Sequence, residues 1–134
     1  ARAAALYEQA CAMNNGSSLS EPTGCHNLAL LYANGSGVSK DPAKAAELYR
    51  HACDAAHMMS CANLGVLYGE GTGVPKDAQR AAQLYQQACT GDDMGACFNL
   101  AQLYSRGEGV ERDVARAAAL LKQACAGGVE RACI

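Results

Sequence analysis

CHNLALLYANGSGVSKDPAKAAELYRHACDAAHMMS, residues 25–60, decides the fold, because the chain repeats its pattern from Cys61 and again from Cys97. Cys25, Cys61, Cys97 and Cys133 stand 36 residues apart, and so do Cys53, Cys89 and Cys125. Corresponding positions agree: Leu28, Leu64 and Leu100; Tyr32, Tyr68 and Tyr104; Gly35, Gly71 and Gly107; Val38, Val74 and Val110; Asp41, Asp77 and Asp113. A fixed period of this length marks a tandem array whose units bury their apolar faces only by stacking. Ala1 to Cys11 matches Ala43 to Cys53. Residues 1–24 therefore read as the second half of a unit with an extended loop, 25–60, 61–96 and 97–132 as full units, and 133–134 as the opening of another. A chain that starts in mid-unit without Met is expected to be a piece or processed form of a longer array. Its cut faces are expected to favour end-to-end self-association.

Each unit carries two helical patterns. Cys25, Leu28, Ala29 and Tyr32 fall at i, i+3, i+4 and i+7, and Ala45, Leu48, Tyr49, Ala52 and Cys53 repeat that spacing with i+8 added. Gly35 stands where a left-handed residue closes the first helix, and Gly37 is expected to keep the connection loose. Asp41 offers a side-chain oxygen to cap the second helix, with Pro42 in its first turn, where a missing N–H costs little. No segment alternates as a strand does. The fold class is all-α, helix pairs stacked into an α/α solenoid with a concave face. Half of the residues are hydrophobic, 50%, yet only Phe98 and six tyrosines are aromatic, so the core has to be built from Ala, Leu and Tyr. Small residues such as Ala45, Ala46 and Ala52 let the helix axes approach closely.

Such side chains bury little area each, and a short chain has a high surface-to-volume ratio. Cross-links offset that deficit: closing a loop of about nine residues contributes roughly 2.5 kcal/mol in the chain-entropy picture. Eight cysteines allow many pairings in principle. The register favours Cys11–Cys25, Cys53–Cys61, Cys89–Cys97 and Cys125–Cys133. Cys53 ends one helix and Cys61 lies in the first turns of the next, with DAAHMMS between them, so a helical hairpin brings their Cα atoms to about 5.5 Å. The alternatives are free thiols and thiolate–zinc. Zinc sites usually place ligands about two to four residues apart, and no His recurs at a repeated position. Paired cysteines at a fixed period do not suit a reducing compartment, so the expected location is periplasmic or secreted. No apolar run of about eighteen residues occurs, and membrane insertion is not expected. A net charge of −2 with scattered basic residues points away from nucleic acid. Nothing calls for a cofactor or a metal.

The stretches NLALLYANGSGVSKDPAKAAELYRHAC (27–53), NLGVLYGEGTGVPKDAQRAAQLYQQAC (63–89) and NLAQLYSRGEGVERDVARAAALLKQAC (99–125) resemble the Sel1-like repeat, a cousin of the tetratricopeptide repeat with a longer Gly-containing loop. With one cysteine in each helix of the pair, they are most similar to the Helicobacter cysteine-rich proteins, secreted Sel1-like arrays. The resemblance covers essentially the whole chain and implies a right-handed solenoid with one disulfide per repeat. The chain departs from it at Ala12 to Gly24, where Cys11 and Cys25 are 14 apart instead of eight. That enlarged loop, rich in Ser, Asn and Gly, is expected to be a mobile or partner-specific element.

Function is read from the polar residues that recur. Asn27, Asn63 and Asn99 follow the cysteine-led turn in all three units, although Asn is a poor helix former. A carboxamide offers donor and acceptor together and can grip a peptide backbone. The resemblance implies the same role, since tetratricopeptide domains clamp peptides with an Asn in this register. These amides can equally bond neighbouring helices inside the stack. One turn on, Leu30, Val66 and Gln102, then Asn34, Glu70 and Arg106, share that wall by helical spacing and differ between units, as side-chain pockets or an ordinary solvated face would. The expected function is a non-catalytic scaffold that holds a partner protein or extended peptide on its concave face. One alternative is a structural spacer in a longer array. Another, implied by the Helicobacter resemblance, is a penicillin-binding protein with weak β-lactamase activity. For that chemistry no Ser-x-x-Lys pair is present: Ser36 is followed three later by Ser39, Ser17 by Ser20 and Ser60 by Asn63. His26, His51 and His57 occur in one unit each and read as surface residues, His51 facing Glu47 at i−4.

Overall fold

The computed structural model describes residues 2–12 and 22–133. Seven helices follow one another: α1 Arg2–Ala12, α2 Pro22–Asn34, α3 Pro42–Asp54, α4 Met58–Glu70, α5 Ala78–Thr90, α6 Met94–Arg106 and α7 Val114–Ala126, with a 3-10 turn at Glu130–Ala132. Among the described residues there is no strand. Each helix packs against the next in the chain, so α2 with α3, α4 with α5 and α6 with α7 form successive pairs. Most of the enlarged loop after α1, residues 13–21, lies outside the described residues.

The same local chemistry starts and stops the helices in every unit. The Asp41, Asp77 and Asp113 carboxylates accept from the backbone N–H of Lys44, Arg80 and Arg116 at 3.0–3.1 Å, capping α3, α5 and α7. At the other end of the first helices, Gly35, Gly71 and Gly107 take φ near +70° and donate to the carbonyls of Leu31, Leu67 and Leu103 at 2.8 Å. The N–H of each capping Asp then bonds back to the carbonyl of Tyr32, Tyr68 or Tyr104, which folds the long loop against its own helix.

Two details differ from the sequence expectation. At the positions equivalent to Gly37 in the two later units, Gly73 and Gly109, the second glycine does not loosen the loop. A Cβ on Gly73 would lie 2.4 Å from the Pro42 carbonyl carbon, and one on Gly109 would lie 2.2 Å from the Ala78 oxygen. These two loops are therefore seated on the first turn of the preceding unit's second helix, at a distance only glycine permits. The link DAAHMMS is also shorter than it reads. Met58 to Ser60 already belong to α4, because His57 caps that helix by accepting the Ser60 N–H on Nδ1 at 3.3 Å.

All eight cysteines are bridged in the pairing favoured by the register, with Cα atoms 4.6–4.9 Å apart. Cys25, Cys61 and Cys97 are fully enclosed and join Leu28, Leu64 and Leu100, a run of alanines, Tyr49, Tyr85 and Phe98 in the core. Cystine is thus a fourth building material beside the expected Ala, Leu and Tyr. It fills volume as well as restricting the unfolded chain.

Candidate functional site

The asparagine row comes from equivalent turns of the first helices, Asn27 on α2, Asn63 on α4 and Asn99 on α6, and all three are half-buried. Leu30, Val66 and Gln102 are half-buried beside them, and Asn34, Glu70 and Arg106 are exposed at the helix ends. Five of these nine residues, Val66, Glu70, Asn99, Gln102 and Arg106, line one hollow of about 320 Å³ between α4, α5 and α6. Lys76 and Glu108 stand at its edge, so two acids and two bases border it. Asn63 does not line it, nor do Asn27, Leu30 and Asn34 from the preceding unit.

The floor of the hollow includes Tyr85, which the sequence reading assigned to the core alone. Its ring lies against α4 where Gly65 leaves room; a Cβ there would come within 2.8 Å of the ring. Only 7% of Tyr85 is exposed. Burial, reinforced by the nearby Glu70 carboxylate, pushes its hydroxyl up to about 12, so it is a neutral donor at ordinary pH. Tyr49, one unit earlier, is also raised by burial, but there Asn63 supplies a hydrogen bond that acts in the opposite sense. The signal that was available is the recurrence of Tyr49 and Tyr85, each 14 residues before an Asn of the row.

A second polar cluster corrects the reading of the histidines. His26 is buried, at 4% exposure, and His57 is half-buried. Ser60 Oγ lies 2.7 Å from His26 Nδ1 and 2.8 Å from His57 Nδ1, and the two rings are 4.5 Å apart. His57 Nδ1 already accepts the Ser60 N–H, so it carries no proton there. The Ser60 hydroxyl then donates to His57, and His26 Nδ1–H donates to Ser60. Burial, and secondarily the His57 imidazole, lower the His26 pKa. Ser60 is fully enclosed, so a substrate does not reach its oxygen. The cluster is a polar pin between α2 and α4, and a Ser beside His is not evidence for a hydrolase here. His51 is on the surface, as expected.

Other hollows, of about 190 and 370 Å³, recur where the second helix of one unit meets the first helix and loop of the next. One is lined by Glu47, Arg50, Leu64, Tyr68 and Val74, and its equivalent by Gln83, Gln86, Leu100, Tyr104 and Val110. In the latter region the Arg116 guanidinium lies 5.0 Å above the Tyr104 ring and donates to Gln86. Among the described residues no helix is long and apolar enough to cross a membrane.

Helix pairs stacked in sequence, bridged by cystines and carrying one polar row along their first helices, define an α/α repeat scaffold. The Sel1 repeat family model matches residues 1–15, 22–57, 59–93 and 95–129, and the chain belongs to that family. These units begin near the start of the first helix, so each bridge ties the second helix of one unit to the first helix of the next. No curated protein matches the chain. Among solved structures it is similar to a Sel1 repeat protein from Oxalobacter formigenes, at 34% identity and a TM-score of 0.87 over 98% of this chain and 51% of that one. It is also similar to c5321, a protective antigen present in uropathogenic Escherichia coli strains displaying an SLR fold, at 30% identity and a TM-score of 0.81 over 84% of this chain and 24% of that one. Helicobacter pylori cysteine-rich protein B matches at 30% identity and a TM-score of 0.75 over 98% of this chain and 90% of that one. The chain thus spans about half the length of the Oxalobacter protein and about a quarter of the Escherichia antigen.

Proposed function

We propose that this Sel1 repeat chain is a non-catalytic scaffold of an oxidising, extracytoplasmic compartment, periplasmic or secreted, which holds a partner protein or peptide in extended form along its first helices. The observation that carries the reading is the hollow between α4, α5 and α6, where one member of the asparagine row, Asn99, and two members of each flanking row border one open space. A half-buried amide row supplies sequence-independent grip, and the varying neighbours supply selectivity. Four cystines in 134 residues support the compartment, since such bridges persist where thiols are oxidised. Asn27, Asn63 and Asn99 are the grip in this reading. Leu30, Val66, Gln102, Asn34, Glu70 and Arg106 are the selective surface. The test is binding of a displayed random-peptide library by the intact chain and by a variant with all three asparagines changed to alanine. The expected result is enrichment on the parent and its loss on the folded triple variant. Equal enrichment on both removes the asparagine row from the function.

A further inference from the structure

Three of the four methionines, Met58, Met59 and Met94, fall among the described residues, and they divide by what they touch. Met59 is 57% exposed. Met58 and Met94 are half-buried, and each is laid across a glycine of the following turn. A Cβ on Gly91 would overlap Cγ and Sδ of Met58, and one on Gly127 would overlap Cγ and Sδ of Met94. Met58 opens α4 and Met94 opens α6, while Gly91 and Gly127 close α5 and α7. Each contact therefore joins one cystine-bridged turn to the next, 53–61 to 89–97 and 89–97 to 125–133. One unit earlier the equivalent positions hold Pro22 and Ala55, so the long thioether and the missing Cβ change together. That is the pattern of a steric fit between the two positions.

Independently of the groove, we propose that Met58 and Met94 are oxidation sites that link the chemical state of a thioether to the contact between successive turns. The oxidant is a two-electron oxygen donor of the peroxide class. Sulfur attacks one peroxide oxygen, the S–O bond forms as the O–O bond breaks, and the proton of the transferred oxygen passes to the departing hydroxide, which leaves as water. Sulfur loses two electrons and the peroxide gains them. The product carries a polar oxygen on the very atom that lies against the glycine. A thioether moulds itself to a close apolar contact, whereas a sulfoxide has a larger, hydrated head. The side chain then leaves the glycine for water. The turns loosen along that edge while the cystine inside each turn stays closed. Oxidation thus acts on this edge in two opposite senses, closing the staples within turns and undoing the contacts between them.

The test treats the intact cystine-bridged chain with graded hydrogen peroxide, maps sulfoxide at each methionine by mass spectrometry and records the thermal midpoint of every sample. Met59 is converted first and leaves the midpoint where it was. Met58 and Met94 follow, and the midpoint falls by about 4 °C as they convert, the size of shift that a modest loss of packing gives a chain of this length. Methionine sulfoxide reductases restore it. Met58→Leu with Met94→Leu keeps apolar side chains of similar volume, and its midpoint no longer responds to peroxide. Met58→Gln with Met94→Gln, which sets a polar head on both glycines, lowers the midpoint of untreated protein. A midpoint that does not move after Met58 and Met94 are fully converted overturns the inference. So does a fall that tracks Met13 or Met59, or one that persists in the leucine variant. A peroxide dose that converts all of Met59 and leaves Met58 and Met94 as thioethers overturns it as well. The mapping on the parent chain needs no variant, so it decides the matter even where a substituted chain fails to fold.

Discussion

The junction between α3 and α4 and the junction between α5 and α6 are built from the same repeat positions, yet one is closed by polar contacts and the other is open. At the first, Tyr49 is bonded by Asn63, and His26, Ser60 and His57 form a buried hydrogen-bonded chain. At the second, Tyr85 and Asn99 face a hollow, Ala62 and Ala96 replace His26 and Ser60, and Asp93 caps α6 where His57 caps α4. The residue against Tyr85 is Gly65, where the preceding unit has Ala29. An array can therefore keep one backbone geometry while the side-chain contacts at its junctions differ, closed in one unit and open in its neighbour. The backbone ladder and the cystines enforce the geometry, which leaves the side chains at each junction free to differ.

The strongest perturbation is expected to treat the two junctions alike. Replacing Cys53 and Cys61 together by alanine, or Cys89 and Cys97 together, costs roughly 2.5 kcal/mol in each case, read by urea unfolding. A loss several times larger at one junction would show that its bridge also supports the packing around it. A smaller change should separate the two. Tyr49→Phe strands the Asn63 amide and costs about 1 kcal/mol, whereas Tyr85→Phe leaves stability unchanged or slightly higher. Equal losses would erase the distinction between closed and open.

The smallest effect is a dependence on acidity at the first junction. His26 is held below its ordinary pKa in the folded chain, whereas an unfolded His titrates near about 6.5. The folded state therefore binds fewer protons below that pH. The contribution of His26 is complete above about pH 6.5 and is lost as pH falls towards its lowered folded value. His26→Phe, which places there the residue that the third unit has at Phe98, flattens the curve over that window. Unfolding midpoints measured across it check this. A slope that survives the substitution would assign the acidity to another group.

Much of this architecture was legible because periodicity and end signals are local. The 36-residue beat defined the units, and Gly35, Asp41 and Pro42 marked helix ends whose hydrogen bonds involve only nearby residues. The cystine pairing followed from position in a hairpin. What could not be read locally was contact between units. Gly73 reads as a loop residue until Pro42 is placed beneath it. His26 reads as an isolated polar residue until Ser60, 34 positions on, is placed against it. The nine candidate groove residues were set out by helical spacing alone, and spacing gives a face, not the state of each hydrogen bond. That is why Tyr85 was missed, and why Asn63 and Asn99 looked equivalent.

The cystines also determine how the chain withstands cutting. A peptide bond broken between Cys53 and Cys61, between Cys89 and Cys97 or between Cys125 and Cys133 leaves both sides joined through sulfur. The same cut in a long loop, as between Gly71 and Asp77, has no bridge across it and releases a fragment. Exposed loops are where proteases act first. The turns between units are therefore fail-safe under digestion, and the glycine loops are the perforations along which the array comes apart.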